Sequence, residues 1–333
     1  MIIEVKNLTK VYKLKQRKEG LKEAVKTFIK PTYYEKRAVD NISFSINEGE
    51  CVGYIGENGA GKSTTIKMLT GILYPTSGDV VVNGLIPYKN STKNNFNIGT
   101  VFGQRSALWW DLPVIDSFKL NKTIYNIPDS IYEENMKNYN EILKLNELLH
   151  IPVRNLSLGQ RMKCEIALAF LHNPKVVYLD EPTIGLDVLV KEDIRNFLAK
   201  NNREKNTTIL LTTHDLSDIE AVCKRIIIID NGRILYDGNL KEFINIYGKT
   251  RIIKFKLKDD YQKEEIIKKL VKELINEYEF IENELKITFN KQSLTPNNII
   301  NIVSEHAEIE DINIIEPNLE GIVKEIYRGT EDD

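Results

Sequence analysis

Gly56-Glu-Asn-Gly-Ala-Gly-Lys-Ser63 combines a glycine-rich run with a terminal Lys-Ser pair, and the chemistry of that combination is phosphate binding. It fits the pattern G-x-x-x-x-G-K-[ST] in the required context. The apolar run Cys51–Ile55 before it reads as a buried strand, and Thr64–Thr70 after it reads as a helix. In such a loop Gly56, Glu57, Asn58, Gly59, Ala60, Gly61 and Thr64 present backbone N–H groups to phosphate oxygens. The helix N-terminus adds partial positive charge. Lys62 can reach the β- and γ-phosphates of a nucleotide, and Ser63 can ligate Mg²⁺.

Such a loop needs a carboxylate at the end of a neighbouring buried strand. Val176-Val-Tyr-Leu-Asp-Glu181 supplies one. Four apolar residues place Asp180 at a strand's C-terminal end, where it would hold Mg²⁺ through its water shell. Glu181 projects differently and is placed to orient or deprotonate an attacking water, which argues for hydrolysis over passive binding. Leu156-Ser-Leu-Gly-Gln160 opens another helix, with Ser157 as cap and Gly159 allowing close backbone approach. A hydroxyl at a helix N-terminus is a second phosphate-binding device. One γ-phosphate does not need two in the same chain, so this one points to a nucleotide held by another subunit.

The elements that must position these residues alternate. Strands are predicted at 2–5, 38–46, 50–55, 79–83, 97–102, 176–179, 207–211, 226–229 and 233–236. Between them, 113–149 reads as mostly helical with a break at Asn126–Pro128, and 158–172 as helical. The alternation predicts an α/β domain around a largely parallel sheet. Residues 13–37 carry nine Lys or Arg against three Glu, with Leu21, Ala24, Val25, Phe28 and Ile29 at helical spacing, and read as a basic amphipathic helix inserted after a segment ending at Tyr12. From about 241 the pattern changes. Strand 251–257, helix 262–277, strand 284–290, helix 295–305, strand 310–315 and helix 318–328 predict a small α+β accessory domain over 241–333 without a catalytic constellation.

Composition excludes other classes. A net charge of −2 over 333 residues argues against a nucleic-acid partner. Cys51, Cys164 and Cys223 form neither a zinc pattern nor a disulfide framework, as expected in a reducing cytosol. The N-terminus has no signal-peptide apolar region, and no apolar run approaches the roughly 20 residues needed to cross a bilayer, so a membrane role would come through a partner. Both tryptophans, Trp109 and Trp110, are adjacent. Neighbours cannot face the same side of a regular element, so at least one is expected at the surface or an interface. Of the histidines, His150, His172 and His306 are expected to be structural.

Over about residues 1–240, with its motifs in order, the chain resembles the ATP-binding subunits of ABC transporters. Gly56–Ser63 is similar to their Walker A, Leu156–Gln160 to their signature, and Val176–Glu181 to Walker B with its catalytic glutamate. Gly185-Leu-Asp187 resembles the D-loop, His214 the switch histidine and Gln104 the Q-loop glutamine, a further metal contact. Tyr12 stands where the family stacks an aromatic on adenine. Two departures are Leu158, where the family usually has glycine, and Ile184, where the D-loop usually has serine. The resemblance implies a parallel core sheet with an antiparallel β subdomain and a helical subdomain. It implies ATP and Mg²⁺ held between Walker A of one protomer and the signature of another, with Lys62, Glu181 and His214 catalytic. The pair would be a homodimer or a heterodimer with a second ATPase subunit. Gln104-Arg-Ser-Ala-Leu-Trp-Trp-Asp-Leu-Pro113 is similar to a bacterial exporter branch whose ABC-2-type permeases are separate chains. A cytoplasmic protein peripheral on the inner face of the membrane is then expected. The competing expectation is a soluble ABC-type ATPase acting on ribosomes or DNA. Against it stand the single P-loop and the lack of a coiled coil or cysteine cluster between Walker A and the signature.

Overall fold

The computed structural model of the protein describes residues 1–15, 33–103, 106–258, 262–272, 277–316 and 319–331. They divide into two compact units, Met1–Asn239 and Leu240–Asp333. The first unit is α/β. Its main sheet contains β3 (Cys51–Ile55), β5 (Ile98–Phe102), β6 (Val176–Asp180), β7 (Thr208–Thr212), β8 (Arg225–Asp230) and β9 (Arg233–Asn239), in the order β5-β6-β7-β3-β8-β9. The first five strands are parallel, and β9 returns antiparallel to β8. β3 and β7 are buried at every residue, because both faces of the parallel sheet are covered and leave no solvent side for polar alternation.

A second sheet, β2-β1-β4, is antiparallel and built from β1 (Ile3–Lys15), β2 (Tyr33–Ile46) and β4 (Ser77–Val82). Its inward Ile3, Val5, Leu8, Ile42, Phe44 and Val80 share one core with Tyr54, Ile66, Leu69, Tyr178 and Ile227. The helices of this unit are α1 (Lys62–Leu69), α2 (Ser91–Asn95), α3 (Val114–Ile124), α4 (Asp129–Leu143), α5 (Leu158–Phe170), α6 (Val188–Lys205) and α7 (Leu216–Val222).

One expectation needs correction here. The segment before the basic stretch does not end at Tyr12: β1 continues to Lys15, and Tyr33–Arg37 already belong to β2, with Tyr12 opposite Lys36. A helix spanning 13–37 is therefore too long, and its middle, 16–32, lies outside the described residues. The stretch 113–149 is mostly helical, as expected: α3 and α4 are followed by a short 3₁₀ turn at Leu145–Glu147, and α4 itself ends at Leu143 because Lys144 adopts a left-handed conformation, φ 56°.

The second unit is an antiparallel sheet of β10 (Thr250–Leu257), β11 (Glu277–Ile281), β12 (Glu284–Asn290) and β13 (Ile309–Ile315), in the order β11-β12-β10-β13. Its helices are α8 (Leu240–Tyr247), α9 (Lys263–Lys272), α10 (Pro296–Ser304) and α11 (Leu319–Glu331). From β10 to β13 this is a β-α-β-β-α-β arrangement. Ile253, Phe255, Leu257, Leu285, Ile287 and Phe289 pack against Ile266, Leu270, Ile299 and Val303. β11 and α8 are elements of this unit that the sequence reading missed. The expected helix 262–277 is described as far as Lys272, and Glu277, expected as its last residue, instead opens a strand opposite Thr288.

Ile287→Ala, inside this core, is expected to cost about 2–5 kcal/mol. Ile281→Ala, at an exposed position of the same hairpin, should stay within about 0.5 kcal/mol. Urea unfolding of the two variants checks the contrast.

Candidate active site

The phosphate-type loop leaves the sheet at Ile55 and enters α1 at Lys62. Gly61 is the N-cap at φ 112°, and a Cβ there would lie 2.4 Å from the Ala38 carbonyl oxygen, so only glycine fits. No side chain caps α1, which leaves its first N–H groups and its positive dipole end available to an anion. Lys62 is buried, and its Nζ donates to the carbonyls of Gly56 (2.6 Å) and Glu57 (3.0 Å). Burial lowers the Lys62 pKa, while the carboxylates of Glu181, Asp180 and Glu57 pull it back up. The ammonium is thus set among negative charges and carbonyl oxygens at the mouth of an uncapped helix.

Asp180 closes β6, opposite Thr212 of β7, and the Thr212 hydroxyl donates to Asp180 Oδ1 at 2.7 Å. Glu181 follows in a left-handed backbone conformation, φ 57°, which a non-glycine residue adopts at a cost of about 1–3 kcal/mol. Its N–H donates to the Thr212 carbonyl at 3.0 Å, and this bond holds the turn. The turn presents the Glu181 carboxylate to His214, whose Nε2 lies 2.7 Å from Glu181 Oε1. Below them sits Asp218, 1% exposed. It accepts from the hydroxyls of Thr183 and Thr213 and from Arg195 Nε at 2.6 Å. One buried carboxylate thereby ties the loop after Glu181 to the loop carrying His214.

Two cavities open onto these groups. One of about 270 Å³ is lined by Tyr12, Asn58, Gly59, Lys62, Ser63 and Thr64, with Glu181 at its edge. The other, of about 420 Å³, is lined by Asn58, Ser63, Phe102, Asp180, Glu181 and Ile184. Asn58, Ser63 and Glu181 belong to both, so the two adjoin as one trough, with Tyr12 lining one part, Asp180 the other and Glu181 both. Ser63 and Asp180 are hard oxygen donors that line the same cavity, which fits Mg²⁺ held by few protein ligands and completed by phosphate and water. Among the described residues no cluster of three or more His, Cys, Asp or Glu could hold a metal unaided. Gln104 lies outside the described residues.

Ser157, Gly159 and Gln160 line neither cavity. They form the start of α5, where the Ser157 hydroxyl accepts from Gln160 N–H at 3.2 Å and Gln160 Oε1 accepts from Ser157 N–H at 2.9 Å. Gly159 also packs against α6, since a Cβ there would meet Val190 at 3.0 Å. Around this start the large apolar side chains of Leu158, Ile184, Val188 and Leu189 are exposed. Trp109 and Trp110 are both exposed, at 54% and 51%. Sequence reading missed Thr212 and Asp218 as supports of the carboxylates. Neither makes a local pattern, because each acts on a residue at least 30 positions away or through a buried network.

Residues 39–184 match the family model described as ABC transporter. The chain is 30% identical over 205 residues to the ABC transporter ATP-binding protein NatA of Bacillus subtilis (strain 168), covering 62% of this chain and 83% of that protein. It is 33% identical over 242 residues to ATP-binding cassette sub-family A member 10 of Homo sapiens, covering 72% of this chain. It spans only 16% of that relative's length. Among solved structures, a dimeric ATP-binding cassette in a post-hydrolysis state bound to ADP and Pi is similar, with a TM-score of 0.58 and 26% identity. That likeness covers 72% of this chain and 98% of the other.

His172 generates a pH prediction. Its Nε2 lies 3.0 Å from the Ile98 carbonyl, its ring stacks on Tyr125, and its Nδ1 is buried without a partner. Burial holds its pKa down at about 4, against 6.5 when free. The unfolded chain therefore binds more protons between these values, and stability falls as pH drops from 6.5 towards 4. Between pH 7 and pH 5 this group should remove about 2 kcal/mol. Urea unfolding at both pH values should show that loss in the wild type and a smaller one in His172→Phe.

Proposed function

The chain belongs to the ABC transporter family and is an ATP-binding ATPase, and on that footing we propose that it is the motor subunit of an exporter whose permeases are separate chains. The observation that carries the hydrolytic role is Glu181, turned by a left-handed backbone onto His214 Nε2 at 2.7 Å beside the phosphate-loop cavity. Backbone strain at such a carboxylate needs a use, and activation of water is the use that fits.

In this reading Tyr12 stacks on adenine. The 56–61 loop, Thr64 and the α1 N-terminus receive the phosphates, and Lys62 exchanges its loop carbonyls for phosphate oxygens. Ser63 and Asp180, with Gln104, would hold Mg²⁺, which neutralises phosphate charge when bound. Glu181 accepts a proton from the attacking water, and His214 fixes the carboxylate's direction and reaches the γ-phosphate. Ser157, Gly159 and Gln160 complete the site of a second copy of this chain. Their place outside this chain's own trough and the exposed Leu158, Ile184, Val188 and Leu189 beside them support that assignment.

Trp109 and Trp110 then face the permease. No helix among the described residues is long and apolar enough to cross a membrane, so passage belongs to the permease in this reading. The protein sits in the cytoplasm on the inner face of the membrane. The unit 240–333, which contains none of the site residues, has an accessory or regulatory role.

Two outcomes test the chemistry. Glu181→Gln should bind ATP normally and lose about 10²–10³-fold in hydrolysis, whereas Lys62→Ala should lose ATP binding itself, as read by equilibrium binding. The transport role is tested by purifying Glu181→Gln with ATP from native membranes in mild detergent. Polytopic membrane proteins in near-stoichiometric amount support the exporter reading, and ribosomes or nucleic acid without them overturn it.

A further inference from the structure

Glu165 is a buried carboxylate that ATP chemistry does not use. It lies on α5, 6% exposed, one turn beyond Arg161 and on the same face. Its Oε1 accepts the Ser106 hydroxyl, and its Oε2 accepts Ala107 N–H at 3.0 Å. Ser106 in turn accepts Leu108 N–H at 3.1 Å, so the carboxylate orders residues 106–108, while Trp109 N–H donates to Ser117 Oγ and the Trp110 carbonyl accepts from Arg154 N–H. Burial raises the Glu165 pKa, and the bonds from Ser106, Ala107 and Leu108 and the Arg161 charge work against that rise. Arg161 makes a second contact, its guanidinium 5.7 Å from the Trp110 ring centre. The segment 106–110 is thus fastened at two points to one stripe of α5. The same stripe begins at Ser157, the cap of the helix, because residues 157, 161 and 165 are spaced by four.

We propose that Glu165, assisted by Arg161, is a positioning residue that makes the tryptophan loop and α5 one mechanical body, so that displacement of Trp109 and Trp110 by a bound partner is delivered to Ser157 at the N-terminus of the helix. This rests on the reading of Ser157 as a contact to the neighbouring protomer's nucleotide. A hydrogen-bonded carboxylate suits the task. A buried acceptor left without its donors is costly, so loop and helix move together rather than separate. An apolar residue at 165 could pack the same space without fixing the loop's register.

The test compares Glu165→Ala, Glu165→Gln and Ser106→Ala in the full chain. Acrylamide quenching of tryptophan emission reads this loop alone, because Trp109 and Trp110 are the chain's two tryptophans. Glu165→Ala should raise quenching about twofold and lower the ATPase kcat about tenfold, with the KM for ATP changed by less than about twofold. Glu165→Gln, whose amide oxygen still accepts from Ala107, should recover most of both. Ser106→Ala should fall between, and its small change keeps the comparison open if Glu165→Ala fails to fold. Unchanged quenching in Glu165→Ala and Ser106→Ala overturns the clamp. Raised quenching with an unchanged kcat reduces Glu165 to a loop anchor and overturns the positioning role. A wild-type chain without ATPase activity contradicts instead the reading of function, and quenching still decides whether the clamp exists.

Discussion

Everything in the first unit depends on holding opposite charges close together at the C-terminal ends of parallel strands without letting them collapse. The uncapped end of α1 and the buried Lys62 ammonium lie across a trough from Asp180 and Glu181. Left to themselves, a buried ammonium and two carboxylates would pair and close the site, because the low dielectric strengthens their attraction. The fold prevents this by giving each another partner. Lys62 is held by the Gly56 and Glu57 carbonyls, Asp180 by the Thr212 hydroxyl and Glu181 by His214. The trough stays open for a ligand with its own negative charge and its own cation.

That arrangement explains why the supporting residues are polar and buried. Asp218 is the clearest case. It lies beneath the site, yet it joins Thr183, Thr213 and Arg195 and so fixes the Glu181 and His214 loops relative to each other. Partial satisfaction of such a network would be worse than none, which is why each member has its donors. Glu165 has the corresponding role on α5, where it joins the tryptophan turn to the helix. Each buried carboxylate thus ties together segments that are far apart in the chain.

What the sequence made legible were contacts made within a few residues. The phosphate loop, the Asp180–Glu181 pair and the Ser157 cap are each contiguous, and the local structure around each could be read from spacing alone. Parallel strands announced themselves as short apolar runs because both their faces are buried. Thr212, Asp218 and Glu165 were hidden because strand register and helix packing bring them to their partners across long stretches of chain. β11 was hidden for another reason. Glu277, Tyr278, Glu279 and Phe280 alternate with period two, but only Tyr278 and Phe280 face the core, too few to outweigh the charged helical run before them. The ends of the basic stretch were misread because Lys13, Leu14 and Tyr33–Arg37 pair as exposed strand residues, which need no apolar pattern.

The central claim is that one chain supplies the phosphate loop and another the Ser157 helix to a single ATP. Mixing two inactive variants addresses it directly: Lys62→Ala, which lacks the first half, and Ser157→Arg, which blocks the second. The account predicts that each alone hydrolyses no ATP and that the mixture regains activity, because one composite site in the mixed dimer is intact. A mixture no more active than its components would contradict it.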